Sequence, residues 1–343
     1  MNTMISKRTM ISKLLCLGLA VACIALAAGP QYHLLKTIPL PGEGGQDYLA
    51  LDEGARRLYV THGTAVEVVD IDSEQPVGRV EGMSGVHGVA IAPKLGRGFI
   101  TSGLTKSVKV FELKTLKSIA DIPVEAEGPD GIVYEPTTNR VFAFEHKGKG
   151  LTVIDAAKST VIKEMPLAGQ AEFPVIDGKG TVWGIIEDKS LVLKINAKDM
   201  TITDSWPIAP ACEGPSGLAI DLANRRLFVG CNNEKMSVVD ADKGTIIQTL
   251  PIGVHIDAVA YDPRTKLIFN ANRSSVTIIH QDSADKYTVA QNLETLQGTN
   301  TLALDTKTGK LYLSTNRFAA PASPGGKSAK VPGSFMVAVY GPE

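Results

Sequence analysis

The chain has 343 residues, of which 44% are hydrophobic, 21% charged and 6% aromatic, and its net charge is −1. This composition supports a packed core and excludes a disordered chain and a bundle of membrane helices. The length fits two ordinary domains or one large all-β domain.

Residues 1–29 have the features of a secretory signal peptide: a basic start, an apolar run over 14–27, and small residues at a cleavage site between Ala27 and Gly29. The run is short for a membrane-spanning helix, so a signal anchor is a weaker alternative, as is a lipoprotein signal at Cys23. We therefore expect a periplasmic or secreted protein with no membrane span and one domain over 30–343. Because the leader holds three basic residues and no acidic one, cleavage leaves 32 basic and 36 acidic residues.

A pattern of four short strands recurs along the rest of the chain. It is clearest at 215–252, where GLAID, RRLFVG, MSVVDAD and TIIQTLPI are separated by turn residues. The last residue of each first strand serves as an anchor, and successive anchors lie 40 to 44 residues apart. Seven such repeats predict an all-β, seven-bladed β-propeller with four-stranded antiparallel blades. The anchors are Asp52, Ala92, Glu135, Asp177, Asp221, Asp262 and Asp305.

The seventh repeat ends after its third strand, so another segment must supply the fourth. Residues 32–40, YHLLKTIPL, are similar to the fourth strands TIIQTLPI and STVIKEMPL of other repeats. We expect residues 32–40 to pair beside 335–340, complete the last blade and close the ring, which removes exposed sheet edges.

The segment LYVTHGTAVEVVDIDS at 58–73 resembles the YVTN repeat. Residues 32–341 as a whole resemble YncE-like exported seven-bladed propellers, within the quinoprotein amine dehydrogenase-like propeller superfamily. The resemblance implies the propeller fold and export. It implies no single function, because lactonase-like and dehydrogenase-like propellers carry out different chemistry.

The repeat alignment predicts two rings of side chains on one face of the propeller, here the top face. We name the strands of a blade A to D from the axis outward; the loop leading into strand A and the B–C turn lie on this face. The mouth ring, five residues before each anchor, consists of Asp47, His87, Asp130, Glu172, Ser216, Asp257 and Asn300. The turn ring, ten residues after each anchor, consists of His62, Ser102, Glu145, Glu187, Cys231, Asn272 and Thr315.

The mouth ring contains enough oxygen ligands for a hard cation such as Ca²⁺. Histidines on the same face would instead make a mixed site suited to Zn²⁺. We favour a hydrated mouth without cofactor or stoichiometric metal, because strand starts that meet channel water are polar and Asp accepts backbone hydrogen bonds at turns. The candidate metal ligands are Asp47, Asp130, Glu172 and Asp257, with the histidines His62, His87, His146 and His255.

Two further features concern the top-face loops. Cys212 and Cys231 both fall in loops of blade five, and two cysteines in an exported chain predict a disulfide; buried free thiols are the alternative. Residues 317–333 extend the B–C connection of blade seven and form either a lid or a surface loop.

Several catalytic motifs are missing from the sequence, including the haem motif Cys-x-x-Cys-His and the nucleophile elbow Gly-x-Ser-x-Gly. Lysine and arginine are not interleaved with aromatic residues, so nucleic acid is an unlikely partner. The favoured function is a non-enzymatic, monomeric module that binds an unknown protein or small-molecule ligand through its top face. The alternatives are a lactonase-type hydrolase with a divalent cation at the mouth and His87 as base, or a redox-accessory propeller.

Overall fold

The structure is a computed structural model that describes residues 31–42, 44–321, 323 and 328–343. The predicted signal peptide lies outside this part of the chain, and so do residues 322 and 324–327 of the extended loop in blade seven. Within it, 28 strands form seven four-stranded antiparallel sheets, and the helices are two short 3₁₀ turns, Pro93–Leu95 and Glu187–Lys189. No helix among these residues is long and apolar enough to cross a bilayer. The predicted all-β seven-bladed propeller is confirmed.

Each blade is a meander of neighbouring strands, because short turns connect strands that alternate in direction. The first blade contains β2 (Gln46–Asp52), β3 (Arg57–His62), β4 (Ala65–Asp70) and β5 (Gln75–Val80). The second contains β6 (Val86–Ala92), β7 (Arg97–Ser102), β8 (Ser107–Glu112) and β9 (Ser118–Pro123). The third contains β10 (Pro129–Glu135), β11 (Arg140–Glu145), β12 (Gly150–Asp155) and β13 (Thr160–Pro166).

The remaining blades repeat this order. The fourth contains β14 (Ala171–Ile176), β15 (Thr181–Ile186), β16 (Leu191–Asn196) and β17 (Thr201–Pro207). The fifth contains β18 (Pro215–Asp221), β19 (Arg226–Cys231), β20 (Lys235–Asp240) and β21 (Ile246–Pro251). The sixth contains β22 (Ala258–Asp262), β23 (Leu267–Asn272), β24 (Ser275–Ser283) and β25 (Lys286–Glu294). The seventh contains β26 (Ala303–Asp305), β27 (Lys310–Thr315), β28 (Met336–Pro342) and β1 (Tyr32–Pro39).

The N-terminal strand closes the ring as predicted. β1 runs antiparallel to β28, with Tyr32 opposite Pro342 and Pro39 opposite Met336. The first and last blades are also joined at the face of the propeller opposite the top face. There, the Arg56 guanidinium donates two hydrogen bonds of 2.8 Å to the Asp305 carboxylate. The ring is thus closed by both a shared sheet and a bidentate ion pair.

The core lies between blades rather than at the centre of the ring. Strands B and C are covered on both faces by neighbouring sheets, so they read as nearly continuous apolar runs. Between the third and fourth blades, for example, Phe142 and Phe144 pack in one buried cluster with Leu193 and Ile195. Each interface buries a cluster of this kind, which leaves the axis available for polar side chains.

Candidate functional site

The mouth ring forms where strands A begin. In the first five blades the pairing between strands A and B is interrupted at these positions, so the ring residues are outside the regular ladder. In the sixth and seventh blades strand A begins only after the ring residue. The backbone therefore leaves the ring side chains free to turn toward the axis.

Two groups of three side chains at the mouth could each hold a metal ion. In each group, one ligand atom from every residue lies within 4.8 Å of the other two. The first group is Asp47, His87 and Asp130, and the second is Asp130, His146 and Glu172. Because Asp130 belongs to both, the groups form one cluster, here named the mouth cluster.

Each histidine of the mouth cluster contacts a carboxylate. His87 Nδ1 lies 2.6 Å from Asp47 Oδ2 and 3.7 Å from Asp130 Oδ1. His146 Nδ1 lies 2.7 Å from Glu172 Oε1, and this contact raises the pKa of His146 to about 9. Burial opposes protonation of His87, but the hydrogen bond to Asp47 and the Asp130 charge outweigh it and raise the pKa of His87. A metal ion would compete with protons for both rings.

The carboxyl group of Asp130, which the two ligand groups share, is incompletely hydrogen-bonded. Its Oδ1 atom is buried and has no hydrogen-bond partner among the described residues. Burial raises the pKa of Asp130 well above its ordinary range, and the charges of Asp47 and Glu172 raise it further. A buried carboxylate oxygen without a partner is costly, and a cation would satisfy it.

Asp257 adds a further acidic group from the sixth blade. Asn300 donates a hydrogen bond of 2.6 Å from Nδ2 to Asp257 Oδ2. Burial raises the pKa of Asp257, and the charges of Asp47 and Glu172 add to this effect. Ser216, the mouth-ring residue of the fifth blade, is buried and uncharged. The structure thus brings Asp47, His87, Asp130 and Glu172 together in the mouth cluster, whereas Asp257 interacts with them through charge and belongs to neither ligand group.

Tyr48 and Phe173 are site residues that the sequence analysis missed. They lie one position after Asp47 and Glu172, on opposite blades, and their rings meet edge to face with centroids 5.0 Å apart. The two rings therefore meet across the axis. The Tyr48 hydroxyl donates a hydrogen bond of 2.9 Å to Glu172 Oε2. Burial and then the Glu172 charge raise the pKa of Tyr48 well above its ordinary value, so Tyr48 is a donor at neutral pH.

A signal for these aromatic residues was present in the repeat alignment. The position after the mouth ring is small in the other blades, where strands A approach closely. A Cβ atom at Gly131, for example, would lie 2.9 Å from the Glu172 carbonyl oxygen. Tyr48 and Phe173 break this pattern of small residues. The equivalent positions are Gly88, Gly131, Gly217, Ala258 and Thr301.

Most of the turn ring lies away from the mouth. His62, Glu145 and Asn272 are the last residues of their B strands, and each is at most 2% exposed. Their side chains pack between or within blades because the strand ladder still fixes their direction. His62 stacks on Phe335 with centroids 3.7 Å apart, and burial lowers its pKa to about 4.

Glu187 is a turn-ring residue that interacts with the mouth cluster through charge, while its Oε1 accepts a hydrogen bond from Asn232. It begins the 3₁₀ turn after β15, and burial and then the Glu172 charge raise its pKa. The other histidines lie elsewhere: His33 and His255 are exposed, and His280 pairs with Asp282.

The predicted disulfide between Cys212 and Cys231 is present, with Cα atoms 5.4 Å apart. It joins the loop leading into β18 to the end of β19. In the extended loop of blade seven, Ala319 N donates to Ala329 O and Val331 N donates to Arg317 O, both at 2.8 Å. The described ends of this loop therefore run as a short antiparallel pair above the top face.

Comparison with known proteins identifies the fold. No protein-family profile matches the chain, and no curated protein matches its sequence. The structure of U3-55K is similar with a TM-score of 0.73 at 10% identity, covering 90% of this chain and 99% of that one. The crystal structure of RRP9 WD40 repeats is similar with a TM-score of 0.73 at 9% identity, covering 90% and 98%. The chain has a seven-bladed propeller fold, and its structural neighbours include WD40 propellers. Sequence identity this low supports a shared fold and nothing about function.

Proposed function

We propose that this chain is an exported, YncE-like propeller that binds a divalent transition-metal ion, most suitably Zn²⁺, at its mouth and uses this site to bind a ligand on the top face. The observation that carries the proposal is Asp130, which is shared by two candidate ligand groups and has a buried oxygen without a hydrogen-bond partner in the described chain. A bound cation would satisfy that oxygen, and we therefore propose a metal site in place of the hydrated, metal-free mouth favoured from the sequence.

The donor types support the choice of metal. Each candidate group combines imidazole nitrogen with carboxylate oxygen, which suits Zn²⁺ better than Ca²⁺. Three protein ligands leave a coordination position open, so a ligand with a carboxylate, thiolate or imidazole group could complete the site. The Tyr48 hydroxyl donates a hydrogen bond to Glu172 and so orients one of the proposed metal ligands.

Two features support export. The leader over 1–29 has the composition of a cleavable signal peptide. The disulfide between Cys212 and Cys231 is of the kind that persists in oxidising compartments. Fractionation of cells that express the full chain tests this part: export predicts a protein shortened by about 29 residues outside the cytoplasm.

Isothermal titration calorimetry on the metal-stripped mature chain tests the metal site. Zn²⁺ should bind stoichiometrically and more tightly than Ca²⁺, and Asp130→Asn should weaken Zn²⁺ binding about 100-fold. Glu127→Gln is the matched control, since Glu127 is an exposed carboxylate on the loop that leads into β10, the strand of Asp130. Equal Zn²⁺ affinity in wild-type protein and Asp130→Asn would refute the site.

A second function, metal-dependent hydrolysis, is favoured by the contact between His87 and Asp47. A carboxylate that orients an imidazole is the arrangement of a general base, and a neighbouring ion would polarise an ester or lactone carbonyl. Zinc-loaded protein should then hydrolyse a γ-lactone, and His87→Gln should lose turnover while the second ligand group still binds Zn²⁺. No turnover above the zinc-only background would leave ligand binding as the function.

A further inference from the structure

A cavity opens on the top face beside the mouth cluster. It has a volume of about 630 Å³ and lies where the sixth, seventh and first blades meet. This volume is in the range of ordinary small-molecule sites. Asn300 lines the cavity and also bonds to Asp257, so the cavity and the mouth are neighbours.

The charges that line this cavity are positive and unpaired. Arg273 and Lys330 are exposed lining residues, and neither side chain has an ion pair or hydrogen bond with the described residues. None of the described lining residues is acidic. Desolvation lowers the pKa of Lys330, as expected for an ammonium group partly removed from water without an anion beside it.

The cavity also has a rigid polar floor and one apolar wall. Gln46 Nε2 donates to the carbonyl oxygens of Gly298 and Ser314 at 2.7 and 3.0 Å, and its Oε1 accepts from Asn316. The wall is the Phe318 ring, which packs so closely on Gly298 that a Cβ atom there would lie 2.6 Å from Cζ. Fixed polar groups beside an aromatic face are typical of sites that hold an organic ligand.

We infer that this cavity binds a small organic carboxylate with an apolar body, its charge held between Arg273 and Lys330 and its body against Phe318. Guanidinium and ammonium groups are the usual partners of carboxylates. This inference goes beyond the metal site and does not depend on it.

Fluorine NMR on the metal-stripped mature chain tests this inference, with 4-fluorophenylacetate as the probe and the neutral 4-fluorophenylacetamide as its control. The carboxylate should bind with a Kd of about 1 mM or tighter, as expected for a ligand of this size. The amide should bind at least about fivefold more weakly, because it lacks the charge.

Variants locate the binding. Arg273→Gln and Lys330→Gln should each weaken the carboxylate about fivefold, and Phe318→Ala should weaken carboxylate and amide alike. Lys189→Gln, an exposed change on the opposite side of the top face, should leave the Kd unchanged within about twofold. Circular dichroism melts show that each variant is folded. Failure of wild-type protein to bind the carboxylate, equal binding of the amide, or full affinity in both charge variants would overturn the inference.

Discussion

Replacing Glu145 by Gln should change how the stability of this protein depends on pH. Glu145 ends β11 and is 1% exposed, and Thr152 Oγ1 donates a hydrogen bond to its Oε1. Its Oε2 atom is buried without a hydrogen-bond partner among the described residues. Burial raises the pKa of Glu145 from 4.5 to about 7. The folded protein therefore prefers this carboxyl in its protonated form.

The sign and size of the effect follow from proton linkage. Between the unfolded pKa near 4.5 and the folded pKa near 7, the folded state binds the proton and the unfolded state does not. The protonated Glu145 carboxyl therefore stabilises the folded state at low pH, and this stabilisation is lost as the pH rises through 7. The loss between pH 5 and pH 8 is about 2 to 3 kcal/mol. Glu145→Gln cannot titrate and should lack this loss.

Urea unfolding of the mature chain at pH 5 and pH 8 measures the difference. Other buried carboxyls contribute to both proteins, so the quantity of interest is the gap between wild-type protein and Glu145→Gln at each pH. The gap should change by about 2 to 3 kcal/mol in favour of the variant on going from pH 5 to pH 8. Glu125→Gln should show no such change, since Glu125 is an exposed carboxylate that lines a surface pocket together with Glu145. A gap for Glu145→Gln that is constant with pH would refute the reasoning.

Three other changes should lower the free energy of unfolding, measured in urea at pH 7. Tyr48→Phe removes the hydrogen bond to Glu172 and should cost about 2 kcal/mol; an unchanged value would mean that the hydroxyl contributes nothing. Cys231→Ala opens a disulfide that spans 19 residues and should cost about 3 kcal/mol, with no further loss on adding reductant. Arg56→Gln leaves the buried Asp305 carboxylate without its ion pair and should cost about 3 kcal/mol, whereas a cost below 1 kcal/mol would show that β1 alone closes the ring.

The repeat pattern in the sequence was sufficient to predict the fold. The seven repeats predicted seven blades, and the missing fourth strand of the last repeat predicted that 32–40 is the closing strand. The same register placed Asp130 and its neighbours in one ring. These predictions succeeded because strand spacing and alternation are local properties of the sequence.

The side-chain directions of the turn-ring residues were harder to predict, because they depend on whether each residue is still paired in its B strand. His62 and Glu145 are the last residues paired in their B strands, so their side chains are buried rather than aimed at the mouth. The following position leaves the ladder, and it supplies His146 to the mouth cluster and Arg273 to the basic cavity. A shift of one residue reverses the face of a side chain on a strand, and the sequence did not show where each ladder ended.

The aromatic pair at the axis could not be predicted from either blade alone. Tyr48 and Phe173 are far apart in sequence and meet only because the ring sets their blades opposite each other. The unpaired Oδ1 of Asp130 is likewise a property of the assembled ring, since it depends on which donors surround it. Both features concern packing across the axis: the repeat alignment marks Tyr48 and Phe173 as exceptions to a pattern of small residues, but it does not show that the two rings meet.

The central claim is that a metal ion binds at Asp130. Crystals of the mature chain soaked in zinc chloride, with diffraction data collected above and below the zinc absorption edge, test it most directly. We expect an anomalous difference peak about 2 Å from a carboxylate oxygen of Asp130 and from an imidazole nitrogen of His87 or His146. An empty mouth in those crystals, with zinc only at surface side chains, would contradict it.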